Sequence, residues 1–155
     1  MNRYRLPVFL SLALVAAVPA AASSSNVFDA IMKPYEEIRL ALAGDSMDDI
    51  AEHAEALREE ADVSSEIHPP ARALLPKVTA FAEDLTAAGD LATAREVFYE
   101  LSKVLVRYRS ILEGDDLPLV FYCPMAEKSW LQLEEKVGNP YEGRSMESCG
   151  NVVGQ

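Results

Sequence analysis

Apolar residues recur along this chain at alternating spacings of three and four, the period of one helical face. Phe28, Ile31, Tyr35, Ile38 and Leu42 form the first stripe. Met47, Ile50, Ala54, Leu57 and Ala61 form the second, and Ala71, Leu74, Val78, Phe81, Leu85 and Ala88 the third. Leu91, Ala94, Phe98, Leu101, Leu105, Tyr108 and Leu112 make the longest. Charged residues occupy the other faces, so the pattern predicts helices over about 27–43, 46–61, 70–88 and 91–112. Four such stripes predict an all-α fold, an antiparallel four-helix bundle.

The breaks between stripes have local causes. Gly44-Asp45 and Gly89-Asp90 each place a glycine that can end one helix before an aspartate that can cap the next. The two surroundings are alike, which suggests two helical hairpins and a duplication. Pro69-Pro70 would start the third helix, where a missing N–H costs little. Pro34 and Pro76 fall inside expected helices and predict kinks or broken first turns.

After Leu112 the helical period stops. Residues 113–155 read as an irregular, cysteine-containing segment packed on the bundle, with one short extended stretch at 118–123 (Pro-Leu-Val-Phe-Tyr-Cys). Turn formers at Asn139-Pro140, Gly143 and Gly150 divide the remainder. Apolar periodicity here is too sparse for this segment to fold alone.

The N-terminus changes the setting. Arg3 and Arg5 precede an apolar run at residues 6–18, and Ala20-Ala21-Ala22 has the small-residue pattern of a signal-peptidase site. The run falls short of the ~20 residues that span a bilayer, so a cleaved leader is expected rather than a retained anchor. Removing 22 of 155 residues leaves a single domain of 133 and moves the net charge from −11 to −13. Such acidity repels nucleic acid and anionic lipid. No membrane attachment is expected after cleavage, and the periplasm is the expected compartment.

The candidate chemistry lies in the C-terminal third. Cys123-Pro124-Met125 and Met146-Glu147-Ser148-Cys149 are near mirror images, and a fold-back at Asn139-Pro140 would bring two thiolates and two thioethers together. Soft sulfur donors suit Cu(I) or Ag(I), whereas hard cations prefer oxygen. Trp130 could shield such an ion. The same residues admit a plainer reading. An even cysteine count in an exported chain favours a disulfide. Closing a loop of about 26 residues would contribute about 3.5 kcal/mol by chain entropy. Met125, Met146, Trp130 and Tyr141 would then pack a small satellite core. The two readings exclude each other while the disulfide is made.

His53, beside the second stripe, is an additional candidate ligand, and His68 reads as a solvated loop residue. Together with the cysteines they fit no compact zinc spacing. No serine-hydrolase, metalloprotease or phosphate-loop motif is present, and neither histidine marks itself as a base for a cysteine nucleophile. The chain reads as a non-enzyme.

Phe-Tyr-Cys-Pro-Met-Ala at 121–126, Ser-Trp-Leu-Gln at 129–132, Gly-Asn-Pro-Tyr at 138–141, Gly143 and Met-x-x-Cys-Gly at 146–150 resemble an uncharacterised bacterial family. It is the domain of unknown function numbered 3347, found as small exported proteins and fused to periplasmic adaptors of heavy-metal efflux pumps. The resemblance implies a role in envelope copper or silver handling. It suggests a heavy-metal efflux adaptor, or another envelope protein, as partner. It marks Cys123, Met125, Met146 and Cys149 as candidate ligands and Trp130 as a lid, with Asn139, Pro140, Tyr141 and Gly143 shaping the turn. Cys-Pro-Met also resembles the heavy-metal-binding segment Tyr-x-Cys-Pro-Met-His-Pro, but Ala126 and Glu127 replace its histidine and second proline.

Overall fold

The four apolar stripes become four helices: α1 Ser24–Ala43, α2 Ile50–Ile67, α3 Leu75–Thr86 and α4 Leu91–Arg109. The computed structural model describes residues 24–67, 71–114 and 116–154. The expected leader, His68 and the Pro69-Pro70 helix start lie outside the described residues. Each helix packs against the next in sequence, and α1 also meets α4. Every residue of the first stripe is fully buried, as are Ala94, Phe98, Leu101, Leu105 and Tyr108 of the fourth. The desolvated phenol of Tyr108 is pushed up to about 12.

The two Gly-Asp breaks behave differently. Asp90 caps α4 as expected, its carboxylate accepting the Thr93 amide at 2.8 Å. Asp45 caps nothing. It sits in the left-handed region at φ 57°, and α2 begins only at Ile50. Pro76 falls in the first turn of α3, where it is tolerated, and Pro34 lies inside α1.

The C-terminal segment corrects the all-α expectation. It folds as a three-stranded antiparallel sheet, making the chain a mixed helix-plus-sheet fold. The strands are β1 Leu119–Cys123, β2 Lys128–Gln132 and β3 Asn151–Gly154, in spatial order β2-β1-β3. β1 pairs with β2 from Leu119↔Gln132 to Cys123↔Lys128. It pairs with β3 through Phe121↔Val152 and Tyr122↔Asn151, with a register shift before Val120↔Gly154. The physical reason is backbone satisfaction: amides laid against an apolar bundle must bond to something. Residues without a helical stripe bond across strands instead.

The sheet shares the core of the helices. Val120, Phe121, Cys123, Trp130, Leu131 and Tyr141 join the buried cluster centred on α1 and α4, so the expected satellite core is part of the main one. Tyr35 of α1 stacks on Phe98 of α4 at 4.7 Å between ring centroids. The Tyr35 hydroxyl bonds Ser102 Oγ at 2.7 Å and accepts the Leu131 amide of β2 at 3.2 Å. Burial holds this phenol protonated far above its ordinary range.

Tyr35→Phe keeps the ring and strips the acceptor from the Leu131 amide. Stranding a buried amide should cost about 1–3 kcal/mol. Urea unfolding of the wild type and variant measures the difference. Unchanged stability would mean that the sheet docks by apolar contact alone.

Candidate functional site

Residues 124–127 turn the chain between β1 and β2, with Glu127 in the left-handed region at φ 54°. This turn carries the Pro-Met half of the motif. Met125 sits on it with its side chain 72 % exposed. Cys123, at the end of β1, is fully buried and forms a disulfide with half-buried Cys149. The Ala126 N–H points back into the turn and donates to Cys123 Sγ at 3.4 Å. Met146 is half-buried beyond the 3₁₀ turn Gly143–Ser145, and its carbonyl accepts the Cys149 amide at 2.9 Å.

Two buried amide side chains shape the segment between the cysteines. Asn139 Oδ1 accepts the amides of Tyr141 at 2.9 Å and Glu142 at 3.4 Å, while its Nδ2 donates to the Cys149 carbonyl at 3.1 Å. Gln132 Oε1 accepts Trp130 Nε1 at 3.1 Å and the Gly138 amide at 3.2 Å. Its Nε2 donates to the carbonyls of Glu134 and Lys136 at 2.8 and 2.6 Å. Asn139 shapes this turn, and Gln132, within the Ser-Trp-Leu-Gln segment, has a framing role that the sequence did not assign to it.

Trp130 is fully buried inside this frame. It stacks on Phe121 at 5.5 Å and meets Tyr141 edge-on at 5.8 Å. Gly150 lies against the indole so closely that a Cβ there would stand 2.6 Å from Trp130 Cη2. The Tyr141 hydroxyl donates to the Ser129 carbonyl at 2.6 Å, and burial raises its pKa well above the ordinary value. Lys128 completes the edge of this cluster. Its ammonium pairs with Glu96 and lies 5.1 and 5.3 Å from the ring centroids of Tyr99 and Tyr141.

Two helical arginines grip the segment from below. Arg39 Nη1 donates to the Gly138 carbonyl at 2.6 Å, and Nε and Nη2 take both oxygens of Glu36 at 2.8 and 2.7 Å. Arg95 Nε donates to the Pro140 carbonyl at 3.0 Å. Arg95 Nη2 reaches the Leu42 carbonyl at 2.9 Å and Asp45 Oδ1 at 2.6 Å. Asp45 Oδ2 accepts the Arg144 amide at 3.1 Å, so the loop that was to cap α2 instead clasps the C-terminal segment. The Arg95 hydrogen bond, helped by the Arg144 amide, holds the Asp45 carboxyl below its ordinary range.

The sequence-derived candidates therefore divide. Cys123 and Cys149 are brought together, with Met146 on the same turn as Cys149. Trp130 is a core residue beside them. His53 lies elsewhere, in a groove of about 350 Å³ between α1 and α2 lined also by Ala30, Lys33, Pro34, Glu37, Ala56 and Glu60. As the chain stands, Cu(I) does not fit this donor set: the two thiolates it would need are bonded to each other, and the Met125 side chain is turned to solvent. Among the described residues, no group of three His, Cys, Asp or Glu is arranged to hold a metal ion. Among them, too, no helix is long and apolar enough to cross a membrane. An intrachain disulfide is compatible with an oxidising compartment.

No protein-family model, curated protein or solved structure matches the chain.

The clasp yields two measurable consequences. Gly143 has φ +54°, and a Cβ there would stand 1.9 Å from Asp45 Oδ1 and 2.5 Å from Arg95 Nη2. Gly143→Ala should lose about 2–3 kcal/mol in urea unfolding through strain and a displaced ion pair. Gly89→Ala, with nothing within 4 Å of its Cβ, should stay within about 0.5 kcal/mol.

Asp45 is a group with a depressed folded pKa. Its contribution is fully present above the unfolded carboxyl value and is lost as pH falls through the folded one. The stability gap between wild type and Asp45→Asn should therefore narrow as pH drops below 3.8. Thermal melts of both proteins across that range measure the gap, and a constant gap would remove Asp45 as a titrating clasp.

Proposed function

We propose that this chain is an exported, non-catalytic interaction module of the bacterial cell envelope, stapled by Cys123–Cys149. Its expected partner is an adaptor of a heavy-metal efflux pump or another envelope protein. The observation that carries this reading is the disulfide itself, made across a segment whose side chains join the helical core. A site that consumes both thiols in a structural link leaves a rigid, acidic surface as what the protein presents to others. The periplasm supplies the oxidising setting that such a link needs. The partner class rests on the resemblance of the Cys-Pro-Met and Met-x-x-Cys-Gly segments to domains fused to efflux adaptors.

A second reading keeps the same residues but needs them reduced. Cys123 and Cys149 then supply two facing thiols, with the Ala126 N–H aimed at Cys123 Sγ. With Met125 and Met146 as thioether donors, this would be a soft site for Cu(I) or Ag(I).

Intact mass of the purified mature protein, alkylated without reductant and with or without Cu(I) under anaerobic conditions, separates the two. The staple reading expects a chain two hydrogens lighter than its reduced form, with no adduct and no copper. Two alkylated thiols protected by one bound copper would overturn it in favour of the soft-metal site. In that case Met125→Leu, which preserves volume while deleting a thioether, should weaken copper binding and leave stability nearly unmoved.

A further inference from the structure

The last strand is attached without burying a side chain of its own. Asn151, Val152 and Val153 of β3 are exposed and Gly154 is half-buried. Apolar burial, the dominant favourable term in folding, therefore contributes little to β3. What holds β3 is its backbone pairing to β1, the contact of Gly150 with Trp130, the Asn139 bond to the Cys149 carbonyl, and the disulfide two residues before the strand. A four-residue edge ladder on its own sits near balance between hydrogen bonding and chain entropy. The covalent link decides whether the strand stays.

The two cysteines of that link differ in exposure: Cys123 is fully buried beneath the turn, whereas Cys149 is half-buried. An attacking thiolate needs a line to one sulfur, and the other leaves. Access selects Cys149 Sγ as the sulfur attacked and Cys123 as the leaving thiolate. The Ala126 N–H, already pointed at Cys123 Sγ, then bonds to the charge that appears there.

From this geometry we infer that Cys123–Cys149 is an exchange site for a dithiol reductant, and that opening it releases β3 and uncovers Trp130. The inference rests on the staple reading, since it needs the disulfide made in the folded chain. In the first step a reductant thiolate forms a bond to Cys149 Sγ as the Cys123–Cys149 bond breaks, and Cys123 departs with the electron pair. In the second, the reductant's other thiolate attacks the mixed disulfide and frees Cys149. Both cysteines take up a proton, and the reductant leaves as a disulfide, oxidised by two electrons. With its tether gone, residues 149–154 lift away and Gly150 no longer covers the indole. A small module thereby acquires two surfaces, one for each redox state.

Trp130 is the chain's single tryptophan, so the emission reports its surroundings and no others. The test uses the full mature chain, with thiols counted before and after dithiothreitol. Expected are no free thiols at the start and two after reduction, with helical circular dichroism retained. The reduced chain should show emission moved to longer wavelength and amides of 149–154 exchanging at least about tenfold faster. Reoxidation should restore all of these. Glutathione followed by an acid quench and peptide mapping should place the mixed disulfide on Cys149, and an adduct on Cys123 would overturn the assigned direction of attack. A fully reduced chain with unmoved emission and exchange would overturn the release while leaving the staple reading intact, and so would loss of the helical signal, which means global unfolding. Two free thiols in the protein as purified would instead remove the staple reading and the exchange site with it.

Discussion

The guanidinium of Arg95 ties three parts of the molecule together at one point. Its acceptors are the Pro140 carbonyl in the C-terminal segment, the Leu42 carbonyl at the end of α1, and the Asp45 carboxylate in the loop to α2. Positive charge is favourable at the carbonyl end of a helix. The Leu42 carbonyl already accepts the Asp45 amide at 3.2 Å, and the clasp adds a charged donor to it in the same stroke that fixes the fold-back. Only a planar fork with several donors can address acceptors in these directions at once, and a lysine ammonium has neither the plane nor the reach. The conformations around it follow. Asp45 adopts its left-handed geometry to turn its carboxylate inward, and residue 143 must be glycine because that carboxylate occupies the space of a side chain.

Arg39 and Tyr35 extend the same logic along α1. The charge of an arginine that is only 3 % exposed is expensive to desolvate, and here both oxygens of Glu36 and the Gly138 carbonyl compensate it. Tyr35 offers its hydroxyl to the Leu131 amide on the β2 edge. One helix thus presents an apolar body that excludes water and polar tips placed where the segment's backbone would be left unbonded. A segment too short to support its own core can dock only on a surface of this kind, because apolar contact alone would strand its amides.

The helices were legible because burial imposes a period, and every full stripe residue of α1 is buried where the spacing put it. The clasp was partly legible too. Arg39 stands four residues after Tyr35 and three before Leu42, and Arg95 four after Leu91 and three before Phe98. Both charges border the stripe, one turn from apolar neighbours on either side, which marks them as close enough to the core to need partners there. The sheet was not legible beyond the extended stretch at 118–123. Strands of four and five residues are too short to display a period of two, and β1 is apolar at every position because it is central. Asp45 misled for a different reason: its sequence context matches that of Asp90, and only the distant Arg95 distinguishes a clasp from a cap. Gln132 belongs to the Ser-Trp-Leu-Gln segment of the resemblance, but nothing in the sequence assigns it a role, since a buried glutamine is defined by the loop that wraps it.

The cysteines show how oxidation state, rather than residue type, selects the chemistry of a site. Cys123, Met125, Met146 and Cys149 are a soft-donor set only while the thiols are free. Bonded to each other, the two sulfurs tie the end of β1 to the start of the last strand, and the indole beneath Gly150 stays dry. The buried and half-buried ends of that bond are inequivalent because the hairpin encloses one and the turn after Met146 carries the other. Inequivalence of this sort gives exchange a direction, and a strand with no buried side chain gives that exchange a structural consequence. The link's position at the weakest-held strand places the redox state of the pair in control of what the C-terminal face presents.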